Sequence, residues 1–226
     1  RPDAFDDYVN VEIDGTYYNN PTGRGCSFRK LRKAGTEVVF PAREMVAGVT
    51  ARPRLFASRG KSFARLLVTL RNTDNAPKTV SFAWDGDLGS DSSTRVHTTS
   101  SGDTAMTVAD RWAVSCEDWA DNGCGTVSGD EFGHDPEIAH NWERKGKKKH
   151  SADTVLDVQA FGGSVRFQYD NVTIGAGKSI AFMHVVSLAP TAKRAVRLAR
   201  AIDRNPAKVG VYAGISKRER KKLQNW

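Results

Sequence analysis

Several familiar signatures are missing from this chain. No apolar run approaches the roughly 18 residues that a membrane-spanning helix needs. The sequence begins RPDAFDD, with neither Met nor the apolar core of a signal peptide, so the expectation is a leader already removed or a piece of a longer polypeptide. There is no G-x-S-x-G elbow, no H-E-x-x-H and no phosphate-cradling P-loop, and the hydrolase and nucleotide classes that use them lose their sequence support. Cysteines number three, at spacings too wide for a Cys/His zinc cluster. The basic run ERKGKKKH (Glu143–His150) has no aromatic among its lysines, which argues against single-stranded nucleic acid and reads as an exposed hairpin tip.

What is present is charge, unevenly spread. The net charge is +8. From Thr191 to Trp226, eleven Lys/Arg face two acids, giving +9, whereas from Asp85 to Glu137 twelve acids face two arginines, giving −10. Segregation of this kind suggests internal pairing, head-to-tail self-association, or cations held by the acidic part. Nucleic acid is disfavoured as a partner by the acidic block. Glycans, anionic polymers and other surface proteins remain open, and no membrane span is expected.

Alternating apolar and polar residues mark strands at Tyr8–Asp14, Thr36–Pro41, Ser62–Thr73, Lys78–Gly86, Thr94–Ser100, Asp103–Cys116, Thr154–Phe161, Ser164–Ile174 and Ser179–Ala189. Val46–Ser58 carries Pro53 and is expected as two edge pieces. DNAP between the strands at 62–73 and 78–86 predicts a hairpin. So many short strands with no helix between them predict a mainly β fold, an antiparallel β-sandwich over 1–189, followed by a basic helical appendage over 190–226 packed on it. Pro190-Thr191 starts a helix that Asn205-Pro206 stops. Its buried face is expected from Ala195, Leu198, Ala201 and Ile202. Lys193, Arg197, Arg200 and Arg204 form one basic stripe, a candidate interaction surface. Ser216 with Glu219 three residues on is a capping box, so a second short helix is predicted there.

LVTLRNTDNAPKTVSFAW resembles the hairpin of Ig-like sandwich modules in bacterial surface proteins. WDGDLGSDSSTRVHTTSSGD, with GAGKSIAFMHVVSLA and ISKRERKKLQNW, resembles secreted β-sandwich domains of actinobacterial type, over most of the chain from about Val38. That resemblance implies a fold and a secreted or cell-surface location, and it carries no catalytic residues and no activity.

Four sites are candidates. Asp85, Asp87 and Asp91 on a Gly-rich turn offer oxygens to calcium, although Gly89 and the missing twelfth-position Glu exclude an EF-hand, and turn formation is the competing reading. Cys116 and Cys124 flank a polar spacer and are expected as a disulfide, which points to an oxidising compartment, with Cys26 left over. Trp119 and Trp142 are the candidates for an exposed sugar platform, whereas Trp84 and Trp112 sit in core context. Asp130, Glu131, His134, Asp135, Glu137 and His140 crowd GDEFGHDPEIAHNW, which reads as a flexible acidic loop rather than a metal site. The expected function is a non-catalytic extracellular structural or binding module that self-associates through acidic loops and the basic helices, with calcium its only candidate cofactor. A calcium-assisted carbohydrate-binding or adhesion module is the alternative, and a glycan-active enzyme using carboxylates of the acidic block is the third reading.

Overall fold

A computed structural model describes residues 5, 7–18, 30–32, 36–118, 124, 135–146, 148–158 and 160–226. Cys26, Trp119, Asp130, Glu131 and His134 lie outside them. Among the described residues fourteen strands follow in chain order: β1 Asp7–Ile13, β2 Thr16–Tyr17, β3 Lys30–Arg32, β4 Glu37–Val39, β5 Arg43–Val46, β6 Val49–Ala57 and β7 Phe63–Asn72. Then come β8 Lys78–Asp87, β9 Thr94–Thr99, β10 Trp112–Glu117, β11 Glu137–Asn141, β12 Thr154–Leu156, β13 Ser164–Ile174 and β14 Ser179–Ala189. Three helices close the chain: α1 Ala192–Arg204, α2 Pro206–Val209 and α3 Lys217–Arg220.

The strands form two antiparallel sheets, a β-sandwich as the alternation predicts. The smaller has the order β12-β13-β8-β1-β2, and the larger runs β3-β4-β6-β7-β14-β11-β10-β9 with β5 also paired to β6. Val11, Phe82, Trp84, Phe167 and Tyr169 of the small sheet meet Val68, Leu70, Ile138 and Phe182 of the large one in a single core. The ring of Phe182 stacks on Phe82 at 4.5 Å between centroids. The outer face of the small sheet is polar, so β13 alternates, with one register shift between Tyr169 and Val172. The large sheet is covered on both faces, which is why β14 reads as the near-continuous apolar run IAFMHVV.

The C-terminal segment supplies the second cover. Ile202, Val211, Ile215, Leu223 and Trp226 pack on Phe63, Leu67, Met183 and Val185, and Ala195 and Ala199 of α1 pack on Trp112, Val114 and Ala139. Arg65, buried on that face, donates from Nη1 to the carbonyls of Val211 (2.7 Å) and Ala213 (2.8 Å) and from Nη2 to Glu37 (2.9 Å). Buried Glu37 pairs with both Arg54 and Arg65, and Arg54 also reaches Glu219, so two carboxylates balance two guanidiniums at the seam between sheet and tail.

Four expectations need correction. β8 is not the hairpin partner of β7: the DNAP link crosses between sheets, and β8 pairs with β13 and β1. Asn72 fixes that crossing, its amide donating to Ala76 and Ile174 carbonyls while its oxygen accepts from Asp74 N. Pro53 does not split its strand, because β6 runs continuously between β7 and β4/β5. Its carbonyl accepts from Phe40 N at 3.1 Å, so its missing N–H faces the same side, just past the end of the β4 ladder, where the neighbouring chain turns toward β5. Glu137–Asn141 is a buried central strand rather than loop, between β10 and β14. A third helix, α2, stands where two helices were expected.

Candidate functional site

Helix α1 begins as its sequence predicts. The Thr191 side chain accepts from Arg194 N, and Asn205 ends the helix. The buried side is Ala192, Ala195, Ala199, Ile202 and Asp203, with Leu198 half-buried beside it. Asp203, the only acid of the helix, faces inward. It holds Arg111 and accepts from Lys145 N at 2.6 Å. The outward side is left with cations alone.

Lys193, Arg197, Arg200 and Arg204 do share one side, as predicted, and there they line an open groove of about 1230 Å³ against His97 and Thr98 of β9 and Cys124. A second groove of about 460 Å³ runs along the opposite flank, between α1 and Lys61, Leu188 and Pro190. The two share Arg194, Arg197 and Ala201, so α1 stands as a ridge between them. No Asp or Glu is among the described residues lining either groove. Among the described residues Lys193, Arg194, Arg197 and Arg204 form no ion pair. Arg200 is held by the face of Trp112, 5.9 Å from the ring centroid. Lys193 and Arg194 stand in the first turn, where the helix dipole disfavours positive charge.

The calcium candidates are divided among other roles. Asp85 Oδ2 accepts from Tyr17 Oη at 2.9 Å and pairs with Arg166 at 2.9 Å. The same Arg166 nitrogen holds Glu12 at 2.7 Å. Burial raises the pKa of Asp85, the Asp85 carboxylate raises Tyr17 to about 12, and the Arg166 hydrogen bond lowers Glu12. Arg166 thus joins the two carboxylates, whose shifts run in opposite directions. Asp87 ends β8. Asp91, at φ 46°, opens a single 3₁₀ turn and lies against Gly163, where a Cβ would approach its carbonyl oxygen to 3.0 Å. Asp85, Asp87 and Asp91 are not brought together: among the described residues one group of three or more ligand-bearing side chains gathers within 4.8 Å, and it is Cys116, Cys124 and Glu137.

Trp142 is no sugar platform. It is fully buried, stacked on Phe167 at 4.7 Å, because it continues the inward register of β11 after Ile138 and His140. Trp84 and Trp112 are core, as expected. Cys116 and Cys124 form the disulfide, with Cα atoms 5.5 Å apart. Sequence reasoning missed the buried polar set of β11. His140 Nε2 lies 3.0 Å from Ser115 Oγ, and the His184 ring is 6.4 Å away between centroids.

No family model matches the chain, and no curated protein matches it. Among solved structures it is similar to a putative aldose 1-epimerase from Klebsiella pneumoniae subsp. pneumoniae, with 11% identity and a TM-score of 0.38 over 74% of this chain and 54% of that one. It is also similar to a putative kojibiose phosphorylase from human microbiome, with 11% identity and a TM-score of 0.32 over 95% of this chain and 26% of that one. The chain thus spans about half the length of the first and about a quarter of the second. At these TM-scores the likeness assigns this chain no activity. No helix among the described residues is long and apolar enough to cross a membrane.

Proposed function

We propose that the protein is a non-catalytic binding module of an oxidising, secreted or cell-surface setting, and that it associates head to tail with further copies of itself through the ridge of α1. The observation that carries this reading is the row of α1 cations with no ion pair among the described residues, flanked by two open grooves. Layer order supplies the complement. α1 lies on the outer face of the large sheet. Glu12, Asp85 and Asp170 point from the outer face of the small sheet, where Arg166 pairs with Glu12 and Asp85. The two charged faces therefore look away from each other. They cannot neutralise one another within one copy, but they can between copies. A contact between two different faces is heterologous and propagates into rings or filaments. Opposite potentials would steer its formation and make it sensitive to salt.

Sedimentation velocity at about 50 mM and about 500 mM salt, several-fold beyond the change that alters screening, tests this. The expected result is a larger species at low salt that dissociates at high salt and is absent in R197E/R200E. A monomer at every salt and protein concentration overturns it. If that monomer binds polyphosphate or a sulfated glycan, the ridge serves an anionic polymer instead.

A further inference from the structure

A smaller cavity, away from α1, carries an inference that is independent of self-association. Arg52 and Arg54 stand two residues apart on β6, so both side chains leave the outer face of the large sheet. Across the ladder Arg52 meets Thr69 of β7, and Thr69 meets Ala181 of β14. Ala181 is small and leaves room above it. The tail closes over that room: Ala181 N donates to the Lys222 carbonyl at 2.9 Å, and the Ala181 carbonyl accepts from Gln224 N at 2.9 Å. The result is a cavity of about 190 Å³ whose lining includes Arg52, Arg54, Thr69, Ala181, Glu219 and Lys222. Its charges do not cancel. Glu37 and Glu219 balance Arg65 and Arg54. Arg52 and Lys222 form no ion pair among the described residues, so two positive charges are left over. The Arg54 side chain is 7% exposed, and its Nε is buried with no hydrogen-bond partner among the described residues.

We propose that this cavity binds inorganic phosphate as the hydrogenphosphate dianion, whose oxygens accept from Arg52, Arg54 and Lys222 while its hydroxyl donates to Glu219. Guanidinium and ammonium donors around a small space, with the Thr69 hydroxyl beside them, are the donor set of a tetrahedral oxyanion. A dianion matches the two unbalanced cations. Glu219 narrows the class further. Burial would raise its pKa, but hydrogen bonds from Ser216 and the charge of Arg54 hold it below the usual carboxylate range, so it stays ionised. An ionised carboxylate only accepts, so it opposes an anion with no proton to give and pairs with one that keeps a proton. Sulfate has no such proton near neutral pH, and hydrogenphosphate has one.

Isothermal titration calorimetry on the full chain at about pH 7.5 compares phosphate, sulfate and methyl phosphate at matched ionic strength. Methyl phosphate, a phosphate ester with a second pKa of about 6, has lost its proton there. The expected result is one equivalent of phosphate bound, with sulfate and methyl phosphate at least about tenfold weaker, the worth of one hydrogen bond to a charged group. R52Q and K222Q should each weaken phosphate binding by a similar factor, and R197E/R200E should leave it unchanged. E219Q, whose side chain can still complete the capping box, should raise the affinity for sulfate toward that for phosphate. Far-UV circular dichroism shows whether each variant keeps its sheet. Absence of saturable phosphate binding overturns the proposal. So does binding that survives in R52Q/K222Q or is lost in R197E/R200E, which would put the anion on the ridge of α1. Sulfate or methyl phosphate bound as tightly as phosphate overturns the hydrogenphosphate assignment and the part given to Glu219.

Discussion

His140 and His184 face the core from adjacent strands of the large sheet, and neither can be charged there without loss of hydration. Burial pushes His140 down to about 3, and burial together with the neighbouring His140 ring pushes His184 well below the usual range. In the unfolded chain both protonate near pH 6.5. Below that pH the unfolded state binds more protons than the folded state, so stability falls on acidification. The loss amounts to about 1.4 kcal/mol per pH unit for each histidine. It runs from about 6.5 down toward the folded-state values. Urea midpoints at pH 7 and pH 5, a window above most carboxylate titration, should differ in that direction, and His140→Asn should flatten the dependence. Equal midpoints would show that these rings reach water.

At the scale of elements, α1 is defined by its ends and by what it covers. Thr191 caps its first turn, and no acid assists there. Thr191→Ala should therefore cost about 1 kcal/mol, the usual loss of a hydroxyl cap. Thermal unfolding of the two proteins measures it. β6 and β11 show where strand patterns misled. Pro53 reads as a break, yet a proline whose N–H side meets a bend is tolerated inside a sheet. Glu137–Asn141 reads as polar loop, yet its polar side chains are absorbed by Ser115 and by the Ala199 carbonyl, which accepts from Asn141 at 3.1 Å.

The whole molecule is three layers deep, and its last two residues help close the third. Asn225 donates to the Trp142 and Met183 carbonyls and accepts from Met183 N, reaching the sandwich core from the tail. Trp226 donates to the Met183 carbonyl at 2.6 Å and packs in the cluster under α2 and α3. Trp226→Ala should lower stability by about 3–5 kcal/mol, as large aromatic truncations in cores do. The same variant should bind a hydrophobic dye at the outer face of the large sheet while retaining its sheet circular dichroism. An unchanged urea midpoint would mean that the tail is an ornament on a two-layer sandwich.

Local chemistry fixed whatever depends on near neighbours in the chain. Alternation gave most strands, Thr191 and Asn205 bounded α1, Ser216 and Glu219 form the capping box, and the short spacer placed the Cys116–Cys124 bond. The cationic stripe of α1 was also legible, because steps of three and four residues stack on one side of any helix. Only tertiary structure decided which sheet β8 joins, since a hairpin and a sheet-to-sheet crossing begin with the same turn residues. It buried Trp142, because inward register is set by the partner strands and not by the polar residues beside it. It gave Asp85 to Arg166, a residue of a distant strand brought alongside by pairing. And it set α1 on the outer face of the large sheet and the Glu12, Asp85 and Arg166 group on the outer face of the small one, a matter of layer order that no local pattern records.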